Sequence, residues 1–317
     1  MSRIASILAL MALLFSCSKG YNGELMYVEP GKDSPFNFPY FLYIPDNIDR
    51  SDKVSVVIEP NNSGFADDDL NKHIEKAERI ATKDFYAGNY VAGQLGLPLI
   101  VPVFPRSKTD WTIYTHALDR DVMAQKGNPL ERIDLQLIEM FNDARKRLQE
   151  KDIPVEEQFL LTGFSASASF VNRFTLLHPQ KVLAVAAGGL NGLLMLPADS
   201  LEGQDLPFPL GTADMHNFLG IEFQKEHFRA TPQYYFMGAK DFNDAIPYDD
   251  AYSQAERATI YAVIGKDMHT ERWPACQRIY RQNKVHATFE TYDAIGHEQP
   301  ESVKKKILDF FHQVIAD

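Results

Sequence analysis

The chain has 317 residues, a formal net charge of −11 and a hydrophobic content of 45%. A chain of this length can bury roughly 75% of the surface that its unfolded form exposes, so a core alone can hold it together. The negative charge and the absence of a basic patch argue against nucleic acid as a partner, because phosphate backbones bind clustered Lys and Arg.

The N-terminus has the pattern of an export signal. Arg3 precedes the apolar stretch 4–15, which is shorter than the roughly 20 residues that a membrane-spanning helix needs. The stretch ends in Leu-Phe-Ser-Cys at positions 14–17, and this tetrapeptide resembles the lipobox of bacterial lipoproteins.

The lipobox resemblance implies that residues 1–16 are a signal peptide and that Cys17 is lipidated. It also implies a membrane-anchored lipoprotein of the bacterial cell envelope, on the periplasmic or cell-surface face. The alternative is an ordinary signal peptide with a chance cysteine. Residues 17–35 are polar and contain glycine, so we interpret them as a tether. Cys276 is then left without a disulfide partner.

Residues 36–317 alternate short apolar runs with amphipathic stretches. The runs 54–58 and 182–187 are almost continuously apolar, which is typical of strands covered on both faces of a parallel sheet. Residues 133–149 place apolar side chains at helical spacing. The alternation predicts one α/β domain, a doubly wound and mostly parallel sheet flanked by helices. Residues 190–231 lack periodicity, and we interpret them as a loop-rich, cap-like insertion that shapes the pocket.

A candidate nucleophile follows the apolar run 158–161. Positions 163–167 read Gly-Phe-Ser-Ala-Ser, and a helical pattern comes after them. A strand, a sharp turn of small residues and a helix expose a serine at the edge of a sheet, so Ser165 is the predicted nucleophile. Ser167 stands where the full G-x-S-x-G pattern has glycine, which weakens the match. The alternative is a structural turn serine.

A serine nucleophile needs a base and an acid that orients the base. His297 follows the last predicted strand and precedes the final helix, where the base is expected. The strand 234–237 ends in Gly-Ala-Lys-Asp, which makes Asp241 the first candidate for the acid. Asp244 remains an alternative, and either aspartate could instead cap the next helix.

The oxyanion that forms during acyl transfer needs backbone N–H donors. Ala166, directly after the serine, is the first predicted donor. The loop after strand 54–58 contains Asn61 and Asn62, and one of them is the expected second donor, although Asn also favours simple turns. Trp111, Tyr114 and His116 are candidates for lining the pocket, or pack locally.

With these residues in place, the chain from about Phe38 onward resembles an α/β-hydrolase. The segment 178–189 is similar to secreted esterases related to polyhydroxyalkanoate depolymerases and feruloyl esterases. The resemblance implies a serine esterase that forms a covalent acyl-enzyme on a small-molecule or polymer-attached ester, without a metal or organic cofactor. Residues 241–244 begin like a calcium loop, but Ile246 occupies the position that requires glycine.

Two other functions remain open from the sequence. One is a non-catalytic ligand- or glycan-binding lipoprotein that retains a hydrolase scaffold, since a fold does not determine a function. The other is a serine peptidase of the same superfamily.

Overall fold

A computed structural model describes residues 22–316. The predicted signal peptide and the predicted lipidation site, Cys17, lie outside the described residues. Among residues 22–316, no helix has both the length and the hydrophobicity of a membrane span.

An eight-stranded sheet forms the centre of the molecule, in the order β1-β2-β4-β3-β5-β6-β9-β10. The strands β1 and β2 pair antiparallel, as do β2 and β4, and the other neighbours are parallel. The strands of this sheet are β1 Gly23–Val28, β2 Tyr40–Pro45, β3 Val54–Ile58, β4 Leu99–Pro102, β5 Val155–Phe164, β6 Val182–Gly188, β9 Gln233–Gly238 and β10 Ala287–Tyr292. A separate small hairpin consists of β7 Ser200–Leu201 and β8 Gln204–Asp205.

Helices flank the sheet, and α5 packs against β5 and β6 while α2 and α10 pack against each other. The helices are α1 Leu70–Thr82, α2 Ala87–Leu95, α3 Arg120–Met123, α4 Ile133–Gln149, α5 Ala166–Leu177, α6 Met215–Leu219, α7 Lys225–Ala230, α8 Gln254–Val263, α9 Trp273–Gln282 and α10 Glu301–Ala316. Short 3₁₀ turns cover 115–117 and 179–181, and a π turn at 268–272 precedes α9. The predicted α/β architecture is confirmed.

Hydrophobic patterning explains the layers. Every residue of β2, β3 and β9 is buried, as expected for strands with neighbours on both sides and covered faces. The apolar stripe of α4 faces the core, which confirms the helical periodicity; its buried apolar residues are Ile133, Leu137, Met140, Phe141, Ala144 and Leu148.

The prediction of a tether over residues 17–35 is wrong for Gly23–Val28. This segment is β1, the antiparallel edge strand that pairs with β2. An edge strand has one neighbour, and most of its side chains stay at least partly exposed, so the segment carries only a weak apolar pattern. Gly23 is needed at the pairing itself, because a Cβ there would lie 2.4 Å from the carbonyl oxygen of Ile44.

The parallel strands bring four loops to one edge of the sheet. Parallel neighbours run from β4 through β3, β5, β6 and β9 to β10, so the carboxyl ends of β3, β5, β9 and β10 point the same way. The loops that follow these strands carry Asn62, Ser165, Asp241 and His297 respectively. In open α/β sheets, ligand sites are built at this edge.

Candidate active site

Ser165 occupies a strained turn between β5 and α5. Its φ is 62° and its ψ is −125°, a backbone conformation that residues other than glycine rarely adopt. Gly163 is required beside it, because a Cβ at position 163 would lie 2.5 Å from the carbonyl oxygen of Ser167. The strand therefore passes directly over the first turn of the helix, and the serine projects from the sharp bend between them.

Ser167 stabilises this turn, although the sequence pattern has glycine at its position. The Ser167 hydroxyl accepts a hydrogen bond from the Phe164 N–H at 3.0 Å and donates one to the Phe164 carbonyl at 2.9 Å. Ser167 is almost fully buried, so these bonds pair backbone groups that would otherwise be left unsatisfied. The departure from the glycine pattern thus has a physical function in this chain.

His297 and Asp241 form a close pair across two adjacent strand ends. The Nδ1 of His297 lies 2.9 Å from Oδ2 of Asp241, which is 2% exposed. The other carboxylate oxygen of Asp241 accepts a hydrogen bond from the backbone N–H of Asn243 at 2.9 Å. The backbone carbonyl oxygen of Asp241 lies 2.6 Å from Nε2 of His269. With Nδ1–H donating to the carboxylate, Nε2 of His297 is the acceptor nitrogen.

Asp244, the alternative acid, points elsewhere. Its Oδ2 lies 2.7 Å from Nη2 of Arg272, a fully buried guanidinium. The two charged groups are close enough for an ion pair, but their orientation does not form a hydrogen bond. Its Oδ1 accepts the backbone N–H of Ile246 at 3.1 Å. The structure therefore brings Asp241, and not Asp244, to His297.

Ser165 and His297 line the same cleft, which has a volume of about 750 Å³. Nε2 of His297 lies 3.1 Å from the side-chain Nδ2 of Asn243. The Ser165 hydroxyl makes no hydrogen bond to another part of the described chain. Hydrogen bonds between a nucleophile and its base are often loose without substrate and tighten when it binds.

Of the predicted oxyanion donors, Ala166 and Asn62 line the cleft beside Ser165. Ala166 is the first residue of α5, so its N–H has no partner within the helix. The backbone N–H of Asn62 likewise donates to no acceptor in residues 22–316. Its side chain instead donates to the Phe164 carbonyl at 3.2 Å and accepts from the Gly64 N–H at 3.1 Å, which holds the loop in place.

The Asn61 side chain is bound to Phe104, just after the end of the neighbouring strand, and Asn61 does not line the cleft. It is fully buried. Its side-chain amide accepts a hydrogen bond from the Phe104 N–H and donates one to the Phe104 carbonyl, each at 2.9 Å. These two bonds join the ends of β3 and β4. The Asn61 side chain is thus occupied within the fold.

The walls of the cleft come mostly from loops that the sequence did not single out. Trp111 and Tyr114 line it as predicted, but His116 is fully buried beneath Tyr114. The prediction that residues 190–231 shape the pocket is wrong, because only Asn191 of that segment lines the cleft. That segment instead packs through buried apolar side chains, among them Leu194, Leu196, Leu206, Phe208 and Leu210.

Residues 243–245 and 247–252 form a large part of the wall, which includes Tyr248 and Tyr252. Arg173 of α5 also lines the cleft. Neither element carries a motif, and their only sequence signals are several aromatic and acidic residues in a stretch without periodicity, and a charge within an apolar helix.

A second, smaller cavity of about 300 Å³ borders the same histidine. It shares Asn62 and His297 with the main cleft. Most of its other wall is apolar or aromatic, formed by Pro60, Ile80, Phe85, Tyr86, Phe164 and Pro300.

Glu59 is a buried acid at the base of the Asn62 loop. It accepts the backbone N–H of Gly88 at 2.6 Å. Burial raises the pKa of the Glu59 carboxyl to about 7, against the smaller opposing effects of that hydrogen bond and of Lys76 and Lys304. The loop that carries a candidate oxyanion donor therefore starts from a group that titrates near neutral pH.

The described residues contain no group of three His, Cys, Asp or Glu side chains that could hold a metal ion. Among the hydrogen-bonding groups of the cleft are the serine hydroxyl, the imidazole that pairs with Asp241, and the backbone amides of Asn62 and Ala166. Such a set suits proton transfer to and from a nucleophile and the stabilisation of an oxyanion.

No protein-family model matches the chain, and no curated protein sequence matches it significantly. Solved structures do match it over nearly its full length. Poly(aspartic acid) hydrolase-1 from Sphingomonas sp. KT-1 is 14% identical with a TM-score of 0.58, over 95% of this chain and 100% of the other. A poly(3-hydroxybutyrate) depolymerase from Bordetella parapertussis is 18% identical with a TM-score of 0.58, over 92% and 90% of the two chains.

An S-formylglutathione hydrolase from Agrobacterium tumefaciens is 11% identical with a TM-score of 0.52, over 94% of this chain and 99% of the other. At these identities the likeness establishes the architecture: the chain has the α/β-hydrolase fold. All three similar proteins are named as hydrolases or depolymerases.

Proposed function

We propose that this protein is a serine hydrolase that cleaves carboxylic esters through Ser165, His297 and Asp241. The observation that carries the proposal is the strained Ser165 at the end of β5, in one cleft with an imidazole that is paired to a buried carboxylate. The enzymatic activities named for the similar structures support a hydrolase.

In the proposed reaction, Ser165 Oγ attacks the ester carbonyl carbon while its proton passes to Nε2 of His297. Asp241 holds the imidazole in the tautomer that accepts this proton and stabilises the resulting cation. The N–H groups of Ala166 and Asn62 donate to the oxyanion of the tetrahedral intermediate.

Collapse of the intermediate breaks the bond to the alcohol oxygen, which takes the proton from Nε2. Water then attacks the carbonyl carbon of the acyl-enzyme and gives its proton to Nε2 of His297. The bond to Ser165 Oγ breaks, Oγ takes that proton, and the acid is released.

The test uses 4-nitrophenyl acetate and a fluorophosphonate probe, which labels only an activated serine. We expect the purified protein to hydrolyse the ester and to take the label, and Ser165→Ala to lose both while keeping its thermal melting temperature. Ser51→Ala, which changes an exposed serine, is the matched control. If the folded wild-type protein neither hydrolyses the ester nor takes the label, the result would favour a binding protein on a hydrolase scaffold.

We also propose that Cys17 carries a lipid that anchors the enzyme to a membrane of the bacterial envelope. Its position directly after the apolar stretch 4–15 supports this. Metabolic labelling with a palmitate analogue tests the proposal. Labelling of the wild-type chain that persists in Cys17→Ser would contradict it.

A further inference from the structure

The cleft contains a buried cation that has no counter-ion. Arg173 lines the cleft and is only 4% exposed. Its Nη1 donates to the Ala117 carbonyl at 2.8 Å, and its Nη2 donates to the Tyr252 hydroxyl at 3.0 Å. Both acceptors are neutral, and Arg173 forms no ion pair within residues 22–316.

The absence of an acidic ion-pair partner distinguishes Arg173 from the other buried arginines of residues 22–316. Arg106 lies 2.6 Å from Asp250, and Arg272 lies 2.7 Å from Asp244. A buried charge without an opposite charge is costly, so buried ions in proteins are normally paired. The unpaired charge of Arg173 therefore requires an explanation.

The acidic residues that line the cleft form ion pairs with other arginines. The three pairs are Asp244 with Arg272, Asp249 with Arg257, and Asp250 with Arg106. After these charges cancel, the guanidinium of Arg173 is the remaining positive charge in the main cleft, apart from the His297–Asp241 pair.

Asp119 is the acid that interacts with Arg173 electrostatically, but it makes no ion pair with it. Its carboxylate oxygens accept the backbone N–H groups of Val122 at 2.9 Å and Tyr114 at 3.2 Å, at the start of α3. Burial raises the pKa of the Asp119 carboxyl to about 7. The carboxylate oxygens of Asp119 are occupied by backbone N–H groups and lie beyond ion-pair distance of the guanidinium.

Arg173 also shares a helix face with the candidate nucleophile. Ser165, Ser169 and Arg173 are spaced by four residues at and along α5, and all three line the cleft. A rise of about 1.5 Å per residue places the Arg173 backbone roughly 12 Å from Ser165 along the helix axis. Long side chains on helices generally lean toward the helix N-terminus, which is the end of α5 where Ser165 lies.

We propose that Arg173 binds a carboxylate of the substrate, and that the cleft is built for esters with a free acid group a few atoms from the scissile carbonyl. A guanidinium presents its donors in a fork that matches a carboxylate. The proposal rests on the proposed function, because that function locates the scissile bond at Ser165.

The first experiment compares acid and amide versions of the same ester with the wild-type protein. One pair carries the acid on the acyl side: 4-nitrophenyl hydrogen adipate and its primary amide. The other carries it on the alcohol side: 4-(carboxymethyl)phenyl acetate and 4-(carbamoylmethyl)phenyl acetate. We expect the acid to be preferred by about 10- to 100-fold in kcat/KM in one pair, the range for a charge-assisted hydrogen bond.

The pair that shows the preference identifies the side of the ester that faces Arg173. An acid-to-amide ratio of one or less in both pairs would overturn the proposal. Each rate is corrected for spontaneous hydrolysis.

The second experiment changes the guanidinium. Arg173→Gln is expected to bring the acid-to-amide ratio close to one, whereas Arg173→Lys retains part of the preference. Arg278→Gln, at an exposed arginine on α9, is the matched control and keeps the wild-type ratio. A folded Arg173→Gln variant that keeps the full preference would contradict the assignment.

If Arg173→Gln does not fold, the Arg173→Lys variant decides, because an ammonium keeps the charge but not the forked donor geometry of a guanidinium. A reduced acid-to-amide ratio in Arg173→Lys supports the contact, and the full wild-type ratio contradicts it.

Failure of the proposed function has a separate signature. A protein that hydrolyses none of the four esters refutes the esterase assignment, and calorimetry then tests Arg173 alone. Adipic acid monoamide is expected to bind more tightly than adipamide, by about 10-fold or more. Equal binding of the two compounds overturns the carboxylate site whatever the enzymatic outcome.

Discussion

The imidazole of His297 is held at both ring nitrogens by the same loop. Nδ1 lies 2.9 Å from Asp241, and Nε2 lies 3.1 Å from the side-chain amide of Asn243. The backbone N–H of Asn243 also donates to Asp241 at 2.9 Å. The Asn243 amide therefore occupies the nitrogen that accepts the Ser165 proton in the proposed reaction.

Removing the Asn243 side chain is expected to speed the acylation step. Asn243→Ala frees Nε2 of His297 but keeps the backbone bond to Asp241. Release of one competing hydrogen bond, worth ~1 kcal/mol, corresponds to an increase of about fivefold in the labelling rate with a fluorophosphonate. A tenfold decrease would show that the amide positions the imidazole instead of competing for it. Asn142→Ala on α4 is the control.

Asp241 and Asp244 are expected to differ sharply when each is changed to asparagine. Asp241→Asn removes the acceptor that sets the His297 tautomer and is expected to lower kcat by about 10⁴-fold. Asp244→Asn leaves this pair intact but deprives the buried Arg272 of its counter-ion. We expect that variant to lose about 2 kcal/mol of unfolding free energy, since Asp244 is partly exposed. Ester kinetics and urea denaturation measure the two effects, and a comparable fall in kcat for both variants would contradict the assignment.

Ser167→Ala is expected to destabilise the protein by about 1 to 2 kcal/mol. The substitution leaves the Phe164 N–H without its acceptor, whereas the Phe164 carbonyl keeps the Asn62 side chain as a donor. Ser167→Gly restores the common motif yet is expected to be at least as unstable, because glycine also loses more backbone entropy. Urea denaturation measures both variants. A stability equal to wild type in Ser167→Gly would show that the hydroxyl bridge is dispensable.

Glu59 is expected to make stability depend on pH. Its pKa is raised from 4.5 to about 7 in the folded state by burial. The folded protein therefore holds this proton more tightly than the unfolded chain, and the associated stability is present below pH 4.5 and lost as the pH rises through 7. Glu59→Gln keeps an acceptor for the Gly88 N–H and removes the titration.

The difference in unfolding free energy between Glu59→Gln and wild type should therefore grow in favour of the variant between pH 5 and pH 8, on the order of 2 kcal/mol in total. Denaturation with urea at several pH values measures this difference. Parallel pH profiles of the two proteins would contradict the prediction. Glu139→Gln, on α4, serves as the control.

The amino-acid sequence by itself determined the layers and the chain order of the candidate site. Continuous apolar runs and helical stripes depend on local periodicity, which the sequence displays directly, and residues 163–167, 241 and 297 each follow a readable strand. The edge strand at 23–28 was not predicted, because a strand with one neighbour buries too few side chains to show an apolar pattern.

Only the tertiary structure decided which of two aspartates reaches His297, that the Asn61 side chain is occupied within the fold, and which loops line the cleft. The sequence also could not show that Arg173 is buried without a counter-ion, since ion pairing joins residues up to 144 positions apart, as between Arg106 and Asp250. Such contacts depend on how strand ends and loops meet in space, and no local spacing along the chain encodes that meeting.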